Sequence, residues 1–88
     1  MDQPNNKEFL FMQLVMQNQQ IAMMSLGKLQ NPVTNKIEKN TEFAKMAIDT
    51  LDMLKEKTRG NLTEYEEQYL DETLKDLKLL YVAENGKG

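Results

Sequence analysis

The chain has no cysteine, no histidine and no tryptophan among its 88 residues. Without a thiolate or an imidazole there is no cysteine nucleophile and no imidazole acid or base. A zinc, haem or iron–sulfur site of the usual nitrogen and sulfur ligands is equally excluded. Disulfides are impossible, and because small secreted domains commonly lean on them, their absence points to a reducing, cytoplasmic setting. Positive charge is also in short supply: 11 basic side chains stand against 14 acidic ones, a net charge of −3. Such a chain has no global attraction to phosphate backbones or anionic lipid, so neither nucleic acid nor a membrane is an expected partner.

What is present is hydrophobic residues at 40%, and they are unevenly placed. From Phe9 to Gly27 no side chain is charged, a run long enough to suggest a membrane span. Gln13, Gln17, Asn18, Gln19, Gln20 and Ser25 would all sit in hydrocarbon, at a cost the neighbouring leucines do not return. A signal peptide fits no better, since Lys7 is offset by Asp2 and no small-residue cleavage site follows the apolar run. The segment reads as a buried helix of a soluble protein.

Periodicity and punctuation predict three helices, at about 6–26, 41–58 and 64–83, within a single all-α domain over 6–83 flanked by a flexible start (1–5) and a disordered tail (84–88). Asn5 or Asn6 can cap the first helix, and Gly27 suits the left-handed residue that closes it. Asn31-Pro32-Val33-Thr34-Asn35 reads as a loop, Asn35 tolerating a left-handed backbone. Asn40 is the expected N-cap of the second helix, whose apolar stripe is Phe43, Ala44, Ala47, Ile48, Leu51 and Leu54, with Met46 and Met53 making a smaller patch at its edge. Gly60 stops that helix, Leu62 folds back on its last turn, and Thr63 with Glu66 makes a capping box for the third. The third helix buries Tyr69, Leu70, Thr73, Leu74, Leu77, Leu80 and Tyr81, and turns its acids to solvent.

A hairpin of helices two and three can cover one side of a central helix one, yet helix one is apolar on nearly every side. Small domains without disulfides or metals commonly gain their missing core by association. We therefore expect a homodimer or larger helical assembly with Phe9, Met12, Val15, Met16, Met23 and Leu26 at the interface. The polar strip of Gln13, Gln17 and Gln20 is either solvated or a set of register-setting amides between helices. A methionine-rich helix surface also suits an adaptable protein partner, as an alternative to core packing.

Sites for chemistry are scarce. Glu64, Glu66, Glu67, Asp71, Glu72 and Asp76 form an acidic face without a histidine to complete a bundle metal centre, so no metal, no cofactor and no catalytic residue is expected. Lys57, Arg59 and Gly60 precede the N-terminus of helix three, where free amides and a cation could hold an anion. The leading expectation is thus a non-enzymatic, self-associating module for protein–protein interaction or assembly. The alternative is a small-ligand or anion-binding regulator using that junction or an interface pocket.

The runs Phe11-Met12-Gln13-Leu14-Val15, Met24-Ser25-Leu26-Gly27, Asn31-Pro32-Val33-Thr34, Ala44-Lys45, Ile48-Asp49-Thr50-Leu51, Met53-Leu54 and Leu79-Leu80-Tyr81-Val82, and above all Glu56-Lys57-Thr58-Arg59-Gly60-Asn61-Leu62-Thr63, carry a family likeness. Over about Phe9 to Val82 the chain resembles a bacterial family of short helical proteins classed as a domain of unknown function (1844). Asn35 stands where relatives often have glycine, and Asn40 where they often have aspartate, each able to do the same backbone job. The resemblance implies a helical fold and brings no activity with it.

Overall fold

The computed structural model describes residues 6–86 and contains three helices: α1 (Asn6–Ser25), α2 (Thr41–Lys57) and α3 (Glu64–Asn85). No strand forms among the described residues; the one β-type pairing is an isolated bridge between Asn31 and Lys36. The all-α reading and the order of the helices are as the sequence predicts.

Each helix end has a local cause. At the end of α1 the Lys28 N–H bonds the Met23 carbonyl at 2.8 Å and the Gly27 N–H bonds Met24 at 3.0 Å, the double closure of a Schellman motif. That closure needs a left-handed residue, and Gly27 sits at φ +80°. Asn40 caps α2 by accepting from the Phe43 N–H at 3.1 Å. Its own N–H returns to the Ser25 carbonyl at 2.7 Å, so the start of α2 is tied to the end of α1 and the two helices run antiparallel. Gly60, at φ +84°, turns the chain toward α3. There the capping box is complete: the Thr63 hydroxyl accepts from the Glu66 N–H at 3.1 Å, and the Thr63 N–H donates to the Glu66 carboxylate at 2.8 Å.

The core is one cluster drawn from all three helices: Val15 and Ala22 from α1, Ala47, Ile48 and Leu51 from α2, and Leu70, Leu74 and Leu77 from α3. Burying a side chain of the Val or Leu class is worth roughly 1.5–3 kcal/mol, so these few residues dominate the stabilising side. Phe11, Met23, Leu54, Leu62, Tyr69 and Tyr81 pack around them, partly buried. The body measures 47 × 26 × 16 Å, and its thinnest dimension accommodates two helix layers at the usual 8–10 Å axial spacing. One side of each helix can therefore be internal.

Three expectations are corrected. Phe43, assigned by periodicity to the buried stripe of α2, is 57% exposed, because it turns to an open cleft with Ile21 and the α1–α2 loop and not toward α3. Glu66, assigned to the solvated acidic face, is buried because capping draws its carboxylate back over the helix start. The segment from Glu84, expected as a disordered tail, continues α3 through Asn85. Glu84 is itself buried and holds Lys28 at 2.9 Å and Lys39 at 2.5 Å, which pins the α1–α2 loop to the end of α3. The expected flexible start, 1–5, and the last two tail positions lie outside the described residues.

Candidate interaction faces

The α1 helix has three sides. Val15, Ala22 and Leu26 form the inner one and are spent within the chain, at 0%, 0% and 1% exposure. At about 100° per residue, Leu10, Leu14 and Ile21 fall on one flank of that line, and Phe9 and Met16 on the other. All five are exposed. The neighbours identify the flanks: Ile21 and Phe43 line one cleft with the α1–α2 loop, whereas Gln19 and Met23 line another with α3.

The first flank is extended by α2. Its stripe Phe43, Met46 and Met53 is exposed and by helical spacing lies opposite Asp52 and Lys55, the α2 side chains that pair with α3. Together the two helices present Leu10, Leu14, Ile21, Phe43, Met46 and Met53 on one face. With about 200 Å² for each large side chain, these six leave on the order of 600 Å² uncovered. That equals the upper end of the largest apolar patch on a typical monomer, roughly 300–600 Å². On the α1 half of the face no side chain from Phe9 onward is charged, and Lys7 stands one turn before Leu10 on the same stripe. On the α2 half, Glu42, Met46, Asp49, Met53 and Lys57 share one stripe by helical spacing, with an acid at one end, a base at the other, and Asp49 between them paired to Lys45.

The second flank is a groove between α1 and α3, about 370 Å³, lined by Gln19, Met23, Asp76, Leu77, Leu79 and Leu80. Met12 and Met16 continue its α1 wall by spacing, and Glu72 and Asp76 stand on its α3 rim, both exposed.

The interface residues expected from sequence are thus divided. Phe9 and Met16 are exposed and Met12 and Met23 half-buried, all on the α3 side, while Val15 and Leu26 are internal. Gln13, Gln17 and Gln20 are exposed and run between the two flanks. Leu10, Leu14, Ile21 and Phe43 went unselected. Their signal was available in part: a helix apolar all round must show some of that surface, but which part depends on where α2 and α3 lie.

The junction before α3 is furnished with carboxylates. Arg59 and Gly60 line a cleft of about 140 Å³ with Lys55, Thr58, Leu62 and Glu67, and Lys57 is not part of its wall. The Glu66 N–H is taken by the Thr63 hydroxyl, and the Thr63 N–H by Glu66. The same hydroxyl donates to the Glu8 carboxylate of α1 at 3.0 Å. An incoming anion would find the Thr63 and Glu66 amides taken and the carboxylates of Glu8 and Glu66 beside it, whose like charge opposes it. Lys55 is engaged by Asp71 at 2.8 Å, whose hydrogen bond and charge hold the ammonium above its ordinary pKa. The Asp49 hydrogen bond and charge do the same for Lys45, one turn away in α2. A second α2–α3 pair, Lys78 to Asp52 at 3.0 Å, stands further along. Among the described residues no three carboxylates gather into a group able to hold a metal ion. No helix among them is long and apolar enough to cross a membrane.

The model of one protein family, described as Domain of unknown function (DUF1844), matches residues 8–84. The chain belongs to this family. No curated protein and no solved structure matches it. For this DUF1844 chain the matched span begins at Glu8 and ends at Glu84, and so takes in the carboxylates that join α1 to the α3 cap and the α1–α2 loop to the end of α3.

Proposed function

We propose that this DUF1844 chain is a non-enzymatic helical module that works by self-association, pairing two copies through the α1–α2 face. The observation that carries the reading is the set of six large apolar side chains left exposed on one face. A twofold pairing would bury on the order of 1,200 Å² from these side chains alone, the lower limit of the ~1,200–2,000 Å² of stable interfaces. A twofold contact brings residue i against residue j and j against i. Antiparallel α2 helices would therefore set Glu42 of each copy near Lys57 of the other. Gln17 lies beside Leu10 and Leu14 in this arrangement and is the amide of the strip best placed to set register. The cysteine-free composition is what supports a cytoplasmic setting.

The test is a pair of double variants compared by light scattering, with circular dichroism as the control for folding. Phe43→Glu with Met46→Lys should leave a folded monomer. Phe9→Glu with Met16→Lys, on the other flank, should leave the assembly intact. If the second variant dissociates it and the first does not, the assigned face is wrong.

A further inference from the structure

The groove between α1 and α3 is built unlike the α1–α2 face. Its α1 wall is methionine-rich, with Met23 in the lining and Met12 and Met16 along the same flank by helical spacing. Its α3 wall is Leu77, Leu79 and Leu80. Methionine side chains, unbranched and polarizable, fit partners of varied shape. The rim is acidic: Asp76 lines the groove, Glu72 lies one turn before it on the same side of α3, and no lysine or arginine is among the groove's lining residues.

That charge pattern selects the occupant. A second copy of this chain would bring its own Glu72 and Asp76 against these, and like charges facing one another disfavour the contact. A helix whose apolar stripe is bordered by lysine or arginine meets both requirements, its stripe in the groove and its cations on the rim. We propose that the α1–α3 groove is a docking site for a basic amphipathic helix of another protein. This surface is separate from the one that pairs two copies, and it stays open when they pair.

The seven methionines are natural reporters, since Met12, Met16 and Met23 mark the groove whereas Met46 and Met53 mark the α1–α2 face. The experiment titrates the full chain, labelled with ¹³C at the methionine methyl groups, with a model amphipathic helix of leucine and lysine. A counterpart in which glutamate replaces lysine serves as the control peptide. The leucine–lysine helix should bind and shift the methyls of Met12, Met16 and Met23, leaving those of Met46 and Met53 in place. The glutamate counterpart should not bind.

Glu72→Lys with Asp76→Lys should weaken binding roughly ten-fold at low salt, as expected for reversing two rim charges. Glu56→Lys with Glu67→Lys makes the same change in net charge elsewhere and should leave affinity unaltered. Absence of binding, shifts confined to Met46 and Met53, or equal weakening by both charge variants would each overturn the proposal. The Phe43→Glu, Met46→Lys variant separates the two surfaces, because it should lose self-association and still bind the peptide.

Discussion

Thr63 joins three parts of the molecule through one side chain and its amide. Its hydroxyl oxygen accepts from the Glu66 N–H and donates to Glu8 of α1, and its own N–H bonds the Glu66 carboxylate. Replacing an N-cap threonine by alanine costs about 1 kcal/mol and up to ~2. Thr63→Ala should therefore lower the melting temperature by roughly 4–8 °C per kcal/mol for a domain of this size, and Thr63→Ser should recover most of the loss. Equal stability of wild type and Thr63→Ala in thermal denaturation would show that the cap contributes nothing. The capping box was legible in the sequence because its partners are three residues apart. The bond to Glu8 was not, since it spans 55 residues, and neither was the burial of Glu84 against Lys28 and Lys39. Contacts of that range are decided by where whole helices settle, which composition and periodicity do not encode.

At the scale of elements, the two left-handed glycines set where α1 and α2 stop. A Cβ at Gly60 would meet nothing within 4 Å, and one at Gly27 would make ordinary contacts with Ile37 and Lys39 at 3.7–3.8 Å. Steric clash is therefore excluded as a cause at either site, and what remains is the cost of positive φ for an L residue, about 1–2 kcal/mol. Gly27→Ala and Gly60→Ala should each destabilise by about that amount in urea unfolding, with an unchanged denaturant slope. A neutral result at both would mean the closures are not needed. These ends were readable because glycine after an apolar run has a specific backbone meaning, and α2 was readable because its apolar and charged sides separate. The α1 helix was half readable. An all-apolar helix announces that it will be central, but its inner side was fixed only by the positions of α2 and α3, so Val15 and Leu26 became core while Leu10, Leu14 and Ile21 were left outside.

For the whole molecule, two layers of helix cannot enclose α1, and the surplus is divided between a neutral face and an acid-rimmed groove. This division follows from charge: α1 is uncharged from Phe9 to Leu26, so the character of each flank is set by the helix beside it. The α2 stripe adds methionine and phenylalanine, and α3 adds leucine and carboxylates. The central claim is that the neutral face is closed by a second copy. Sedimentation equilibrium across low to high micromolar concentration tests it most directly. The account predicts a mass approaching twice the 10.2 kDa of one chain, falling toward that value on dilution and in the Phe43→Glu, Met46→Lys variant. A single species at 10.2 kDa throughout that range would contradict it.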